Sequence, residues 1–313
     1  MNLLPVESDR EILLDYLAHN VKFPGHKIFW APLLQSAEGV GKNVFKQIMR
    51  HAMNKRYFYQ PKAKQLNESG AKFNGWMERK LFFLVDEIRT DEKRDMVEVL
   101  KPFITETELE IEGKGSNQRM GDTPGNWLFF SNWKDAIPIT KNGRRHAIFY
   151  SAIQSVEDLQ ERGMTDAYFN RLYDWLGDED NGNHRTGLEI VTNYLMQRNI
   201  ERGGLPVRAP HTSSHAEALI ESRGPLEQAI AEAVECERVG FKNGWISTKA
   251  IAGLWQEQGK HIPAAKTIAG ALTALGYHKI GRLKSGLERD SYLWHRNPNE
   301  HVTNYYPTQQ FMI

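Results

Sequence analysis

At 313 residues, with 40% hydrophobic and 25% charged composition, the chain is long enough for two ordinary domains with real cores, which excludes wholesale disorder. A formal net charge of +1 excludes a protein that coats nucleic acid through bulk positive charge, and leaves only local basic patches to do so. The single Cys236 cannot form an internal disulfide, the start lacks a secretory pattern, and no run approaches ~18 apolar residues, so a cytoplasmic protein with no membrane association is expected.

In chain order, Ile12, Leu13, Tyr16 and Leu17 recur at helical spacing and stop before the Phe23-Pro24-Gly25 turn, which predicts a short helix over 10–18. A strand is predicted over 28–34, with Pro32 weakening a central position. A glycine-rich turn follows, and then Val44, Phe45, Ile48, Met49 and Ala52 form the apolar face of a second helix. LFFLV, 81–85, and WLFF, 127–130, are unbroken apolar runs, as expected of strands buried on both faces. Between them TELEIEGKGSNQRMGDTPGN, 107–126, reads as a hairpin inserted between core strands.

GDEDNGNHRTG, 177–187, reads as an exposed loop, and ERGGLPVRAPHTSSH, 201–215, loses both periodicities. The expected organisation is a first domain over 1–204, a linker over 205–222 and a second domain over 223–313. In the second, helices are predicted around Leu226–Val234, Ile251–Trp255 and Ile268–Leu275, the last stopping at Gly276. Two strands follow, and three helices before a hairpin is the order of a winged helix.

The chemistry begins at LLQSAEGVGKNVF, 33–45. In a phosphate loop, backbone N–H groups and a helix N-terminus surround the phosphates while a lysine reaches their outer oxygens. Ser36, Ala37, Glu38, Gly39, Val40, Gly41, Lys42 and Asn43 make up that loop here. Ser36 stands where such a loop opens with glycine, and Asn43 where a magnesium-binding Ser or Thr belongs. Taken alone, the segment is equally a working site or a strand-to-helix turn with two convenient glycines.

Asp86 and Glu87 at the end of the first buried run supply one carboxylate for a metal and one to polarise a water. Asn132, at the tip of the second run, places an amide where it can hold that water or a terminal phosphate. Arg144 and Arg145 precede a further predicted strand, and an arginine acting from a neighbouring subunit would stabilise charge on a transferred phosphoryl group. The alternatives are, in turn, a solvated strand end, a turn-forming asparagine and an internal ion pair.

Together, NVKFPGHKIFWAPLLQSAEGVGKNVF, FNGWMERKLFFLVDE, LKPFITETELEIEGKG and WLFFSNWKDAIPITKNGRRHAIF resemble the superfamily 3 helicases, most closely the helicase region of phage and satellite-phage primase-helicases. The resemblance covers roughly 20–150 in consistent order. It implies an α/β fold with an AAA+-type P-loop ATPase core carrying an inserted β-hairpin, assembled as a ring, commonly a hexamer, with ATP bound between subunits and Mg2+ as cofactor. The roles it implies put Lys42 on the phosphates and Asn43 and Asp86 at the metal. Glu87 is at the water, Asn132 is the sensor, and Arg145 or Arg144 is the finger, with Arg145 favoured because it directly precedes the strand. Lys114 falls in the hairpin motif that tracks DNA in the central channel, with Arg119 assisting.

Gly143 is a third departure, where many relatives carry Asp. Near the C-terminus, Lys266, Lys279, Arg282, Lys284, Arg289 and Arg296 outnumber Glu288 and Asp290 between 261 and 296, which suits contacts to duplex or single-stranded DNA. Trp245, Trp255 and Trp294 read as core anchors. The expected function is an ATP-driven ring helicase of a phage or mobile element, working with a separate primase or polymerase. No primase-like segment precedes the match, so the chain reads as a stand-alone helicase or a piece of a larger protein. The alternative is a nucleotide-gated initiator that binds a replication origin with little or no turnover.

Overall fold

The computed structural model describes residues 3–62, 65–66, 74–88, 93–113, 117–178, 186–282 and 290–300. The chain divides into two compact units at Ser222/Arg223. Among the described residues, no helix is long and apolar enough to cross a membrane.

The first unit is built on five strands: β1 (Ala31–Gln35), β2 (Phe58–Tyr59), β3 (Phe82–Val85), β6 (Asn126–Ser131) and β7 (His146–Tyr150). Their order is β2-β3-β6-β1-β7 and every pairing is parallel. A parallel sheet must be covered on both faces, which is why its strands read as continuous apolar runs. Alternate residues divide between the two faces. Leu34, Phe82, Leu84, Leu128, Phe130 and Phe149 pack in one core with Leu13, Tyr16 and Leu17 of α1 (Glu7–Lys22), Met49 of α2 (Lys42–Ala52) and Leu195 of α6 (Thr186–Gln197). Leu33, Phe83, Val85, Trp127, Phe129 and Ile148 face the other way, against Leu100, Phe103 and Ile104 of α3 (Lys93–Thr105).

β1 begins three residues later than its sequence predicts. Its ladder with β7 starts at Ala31 but its ladder with β6 only at Leu33, so Pro32, which has no N–H, sits outside the β6 pairing. The inserted hairpin is present as the antiparallel pair β4 (Glu108–Ile111) and β5 (Arg119–Asp122). Its base is fixed by Lys27, a buried ammonium that donates to the carbonyls of Phe103, Thr123 and Gly125, each at 2.9 Å.

After β7 the chain forms α4 (Val156–Glu161), α5 (Asp166–Leu176) and α6. Residues 205–222, expected as a linker, pack on this unit instead. The Ala209 N–H donates to the Arg144 carbonyl (2.9 Å), the Thr212 hydroxyl to the Ile148 carbonyl, and the Tyr150 N–H to the Ser214 hydroxyl (2.8 Å). Three of the backbone polar groups along the open edge of β7 are thereby satisfied. The segment ends in α7 (His215–Glu221), whose Ala218 enters the core.

The second unit contains α8 (Pro225–Glu235), β8 (Trp245–Ser247), α9 (Thr248–Glu257), α10 (Ala265–Ala274), β9 (His278–Arg282) and β10 (Tyr292–His295). β10 lies between β8 and β9, antiparallel to both. Pro225 opens α8 and Glu227 accepts the Gly224 N–H, while the Ser247 hydroxyl accepts the first N–H groups of α9. Trp255 and Trp294 sit in the helical core and Trp245 packs on Leu293.

Candidate functional site

The loop after β1 leaves the carboxyl end of a strand flanked by β6 and β7, at the sheet edge where open parallel sheets place their ligands. Gly39 (φ 77°) and Gly41 (φ 85°) both adopt left-handed backbone, so glycine is required at these two positions. Ser36 does not; it is fully buried, and its N–H donates to the Ser131 carbonyl at 3.1 Å, extending the β1–β6 ladder by one residue. Serine therefore fits without strain where such loops open with glycine.

The Ala37 N–H donates to the Ile153 carbonyl at 3.0 Å. Val40 is buried under α4 and α5, in a small cluster with Ile153, Leu159 and Met164 that Tyr168 and Phe169 complete. No side chain caps the start of α2; the Val44 N–H donates to the Gly41 carbonyl at 2.9 Å, and the N–H groups of Lys42 and Asn43 and the positive end of the dipole face the loop, where an anion is favoured.

Lys42, the first residue of α2, turns back over the sheet. Its Nζ donates to the Ser131 carbonyl (3.3 Å) and to the Asn132 side-chain oxygen. Burial lowers the Lys42 pKa from its ordinary value, and the negative charges of Asp86, Glu87 and Glu38 oppose that shift. Three carboxylates thus lie within electrostatic reach of one half-buried ammonium.

The turn after β3 is held in place by β6. The Ile88 N–H donates to the Phe130 carbonyl and the Ser131 hydroxyl to the Ile88 carbonyl, both at 2.9 Å. Ile88 is fully buried, Asp86 half-buried and Glu87 exposed. Glu87 adopts left-handed backbone, φ 55°, an uncommon conformation for a side chain of this size. Asn43 is exposed in the first turn of α2. A cavity of about 450 Å³ opens beside it, lined by Asn43, Lys46, Gln47, Arg50, Tyr173 and Asp178. Among the described residues, no group of three His, Cys, Asp or Glu side chains is arranged to hold a metal by itself.

Arg144 and Arg145 are not in this group. They precede β7, at the amino edge of the sheet, whereas the loop leaves the carboxyl edge. The five residues of β7 separate the two edges by roughly 16 Å at ~3.3 Å per residue. Arg144 is exposed; Arg145 is half-buried, and its Nε is without a partner among the described residues. Burial and the Arg145 charge push the neighbouring His146 down to about 4, leaving it neutral.

On the hairpin, Arg119 is paired with Glu78 at 2.8 Å, and Lys114 lies outside the described residues. In the second unit, Lys266 is exposed on α10, and the Lys279 Nζ lies 3.5 Å from the centroid of the Tyr292 ring. Arg282 pairs with Asp290 at 3.2 Å, which offsets part of the charge excess in the sequence. Lys284 and Arg289 lie outside the described residues.

Several residues that build the site escape a reading of the sequence. Ser131 braces both the β3 turn and Lys42, and Gln35 and Gln154 form a reciprocal amide pair beneath the loop, at 2.8 and 2.9 Å. The readable signal was Gln35 itself, a polar residue closing an apolar strand.

A family model described as a family of unknown function (DUF5906) matches residues 34–145, a span that contains every candidate site residue of the first unit. No curated protein matches. Among solved structures, an apo form of the NrS-1 C-terminal region (305–718) is 14% identical, with 94% of this chain and 73% of that chain covered and a TM-score of 0.59. A further apo form of the same region is 13% identical, covering 93% and 72%, at 0.62. JCV helicase matches at 9% identity over 74% of this chain and 62% of that chain; its TM-score of 0.37 is too low to define a common fold. The chain thus shares the α/β fold of the NrS-1 C-terminal region.

Proposed function

We propose that this chain is an ATP-dependent helicase subunit of the superfamily 3, AAA+ type, working as a ring, commonly a hexamer, that draws single-stranded DNA through its centre. One observation carries the reading: Lys42, Asn132, Asp86, Glu87 and the open start of α2 meet at one edge of the sheet, while the arginine pair stands at the opposite edge. Such a site would hold and activate a triphosphate, while the arginine pair of the same copy stands an edge of the sheet away from the charge that develops on the transferred group. An arginine reaching in from the next copy would meet that charge, an effect worth on the order of 10³ to 10⁵ in rate.

In this reading the loop N–H groups and Lys42 bind the phosphates, and the cleft beside Asn43 offers room for the rest of the nucleotide. Asn132 orients the terminal phosphate and the attacking water, and Glu87 accepts the proton from that water. The donor set fits magnesium, which takes hard oxygen ligands and commonly binds through one or two carboxylates plus phosphate oxygens and water. Asp86 and the Asn43 amide oxygen would hold it. When bound, the ion neutralises phosphate charge. Arg145, directly before β7, or the more exposed Arg144 is the finger.

The second unit is a winged-helix module on this reading, with Lys266, Lys279, Arg282 and Lys284 meeting DNA phosphates. Lys114 and Arg119 on the hairpin meet the translocating strand, and a separate primase or polymerase completes the machinery. Asn43, which lacks the hydroxyl ligand, favours one alternative: an origin-binding initiator with little turnover.

The test is magnesium-dependent ATP hydrolysis with and without single-stranded DNA, on wild type, Lys42→Ala and Glu87→Gln. The helicase reading expects DNA-stimulated turnover lost in both variants, with nucleotide binding retained in Glu87→Gln. Tight duplex binding without turnover would establish the initiator instead.

A further inference from the structure

Asn132 is engaged at both ends of its amide. Its oxygen accepts from Lys42, and its Nδ2 donates to Oε1 of Glu38 at 3.3 Å. Glu38 belongs to the phosphate loop itself, one residue before the left-handed Gly39, and its charge also reaches Lys42. A carboxylate is an acceptor-only anion, the same chemistry as a phosphate oxygen. The loop's own side chain therefore takes the Asn132 donor that a terminal phosphate would take, and sets its negative charge near Lys42, which such a phosphate would also meet.

We propose that Glu38 is a specificity-determining residue that competes with the terminal phosphate of a bound triphosphate for Asn132 and Lys42, and so sets the preference between tri- and diphosphate. This rests on the loop being a nucleotide site. A terminal phosphate brings more negative charge to the same donors, and two anions do not share them without cost. Glu38 is exposed, so its carboxylate is free to swing into water when displaced. A diphosphate has no terminal group at that position, and the Glu38–Asn132 bond persists beside it. Glu38 accordingly penalises triphosphate selectively and re-forms its contact once the terminal phosphate has left.

The experiment is equilibrium titration of wild type, Glu38→Gln, Glu38→Ala and Lys42→Ala with a non-hydrolysable ATP analogue and with ADP, in magnesium. Removing the charge is expected to tighten the triphosphate analogue roughly three- to tenfold in both Glu38 variants and ADP by less than about twofold, the scale of one unit-charge repulsion in a largely solvated site. A merely structural role would move both nucleotides together. Equal tightening of the two, no change, or weaker analogue binding overturns the proposal while leaving the nucleotide site standing. If wild type binds neither nucleotide, the site reading fails and the proposal with it.

Discussion

The ammonium of Lys42 donates to the side-chain oxygen of Asn132, which joins the first residue of α2 to the tip of β6 across the mouth of the loop after β1. Because β6 lies between β1 and β3, that bond also brings Lys42 toward the Asp86-Glu87 turn. The order of strands, not proximity in sequence, assembles the site.

Gly41 tests the loop's geometry. A Cβ there would have to adopt φ 85° and would approach the Phe169 Cε1 at 2.9 Å. Gly41→Ala is expected to destabilise the first unit by ~1–2 kcal/mol and to weaken nucleotide binding, measured by denaturant unfolding and titration. An alanine variant as stable as wild type would show that the loop is not left-handed here.

Ser36 tests the converse. Its backbone is not in the left-handed region and its N–H is paired with Ser131, so restoring the usual glycine gains nothing. Ser36→Gly is expected to leave nucleotide affinity unchanged and to lower stability by up to ~1 kcal/mol through the more flexible unfolded chain. A gain in affinity of about tenfold, or ~1.4 kcal/mol, would show that serine impairs the loop.

Lys27 gives a pH dependence. Burial pushes it from its ordinary 10.5 down to about 7, with Glu106 opposing. Between those values the unfolded chain binds more protons than the folded one, so stability rises with pH across that window and is flat below it. Guanidinium unfolding from about pH 7 to about pH 10 should show a gain on the order of a few kcal/mol in wild type. Lys27→Met should lose that gain, and an unchanged slope in the variant would contradict the assignment.

Ser214 tests whether residues 205–222 belong to the first unit. Its hydroxyl is the acceptor for the buried Tyr150 N–H, so Ser214→Ala should cost ~1–3 kcal/mol in the unfolding of that unit. A neutral substitution would mean that the segment is the free linker its composition predicts.

The strands at 82–85 and 126–131 were legible because burial on both faces leaves an unbroken apolar run. The loop glycines were legible because only a residue without a Cβ adopts their backbone cheaply. The segment 205–222 misled for a physical reason: Gly, Pro, Ser and Thr are linker residues, yet here Thr212 and Ser214 bond to the edge of β7, which no local pattern announces. The helices over 156–197 fell outside the sequence reading as well, although Ser155 and Asp158 form a capping box at the start of α4, a readable signal. That the carboxylates, Asn132 and Lys42 converge depends on strand order, which a linear chain does not display.

Complementation measures the central claim most directly. Lys42→Ala removes the lysine of the proposed nucleotide loop but keeps its arginines; the Arg144→Ala/Arg145→Ala double variant keeps its loop but lacks the proposed finger. Each alone should be inactive in DNA-stimulated ATP hydrolysis. Mixed and co-assembled, they should recover activity, because a Lys42→Ala copy lends its arginine to the intact loop beside it. Co-assembly confirmed by sedimentation with no recovered hydrolysis would contradict a site shared between copies.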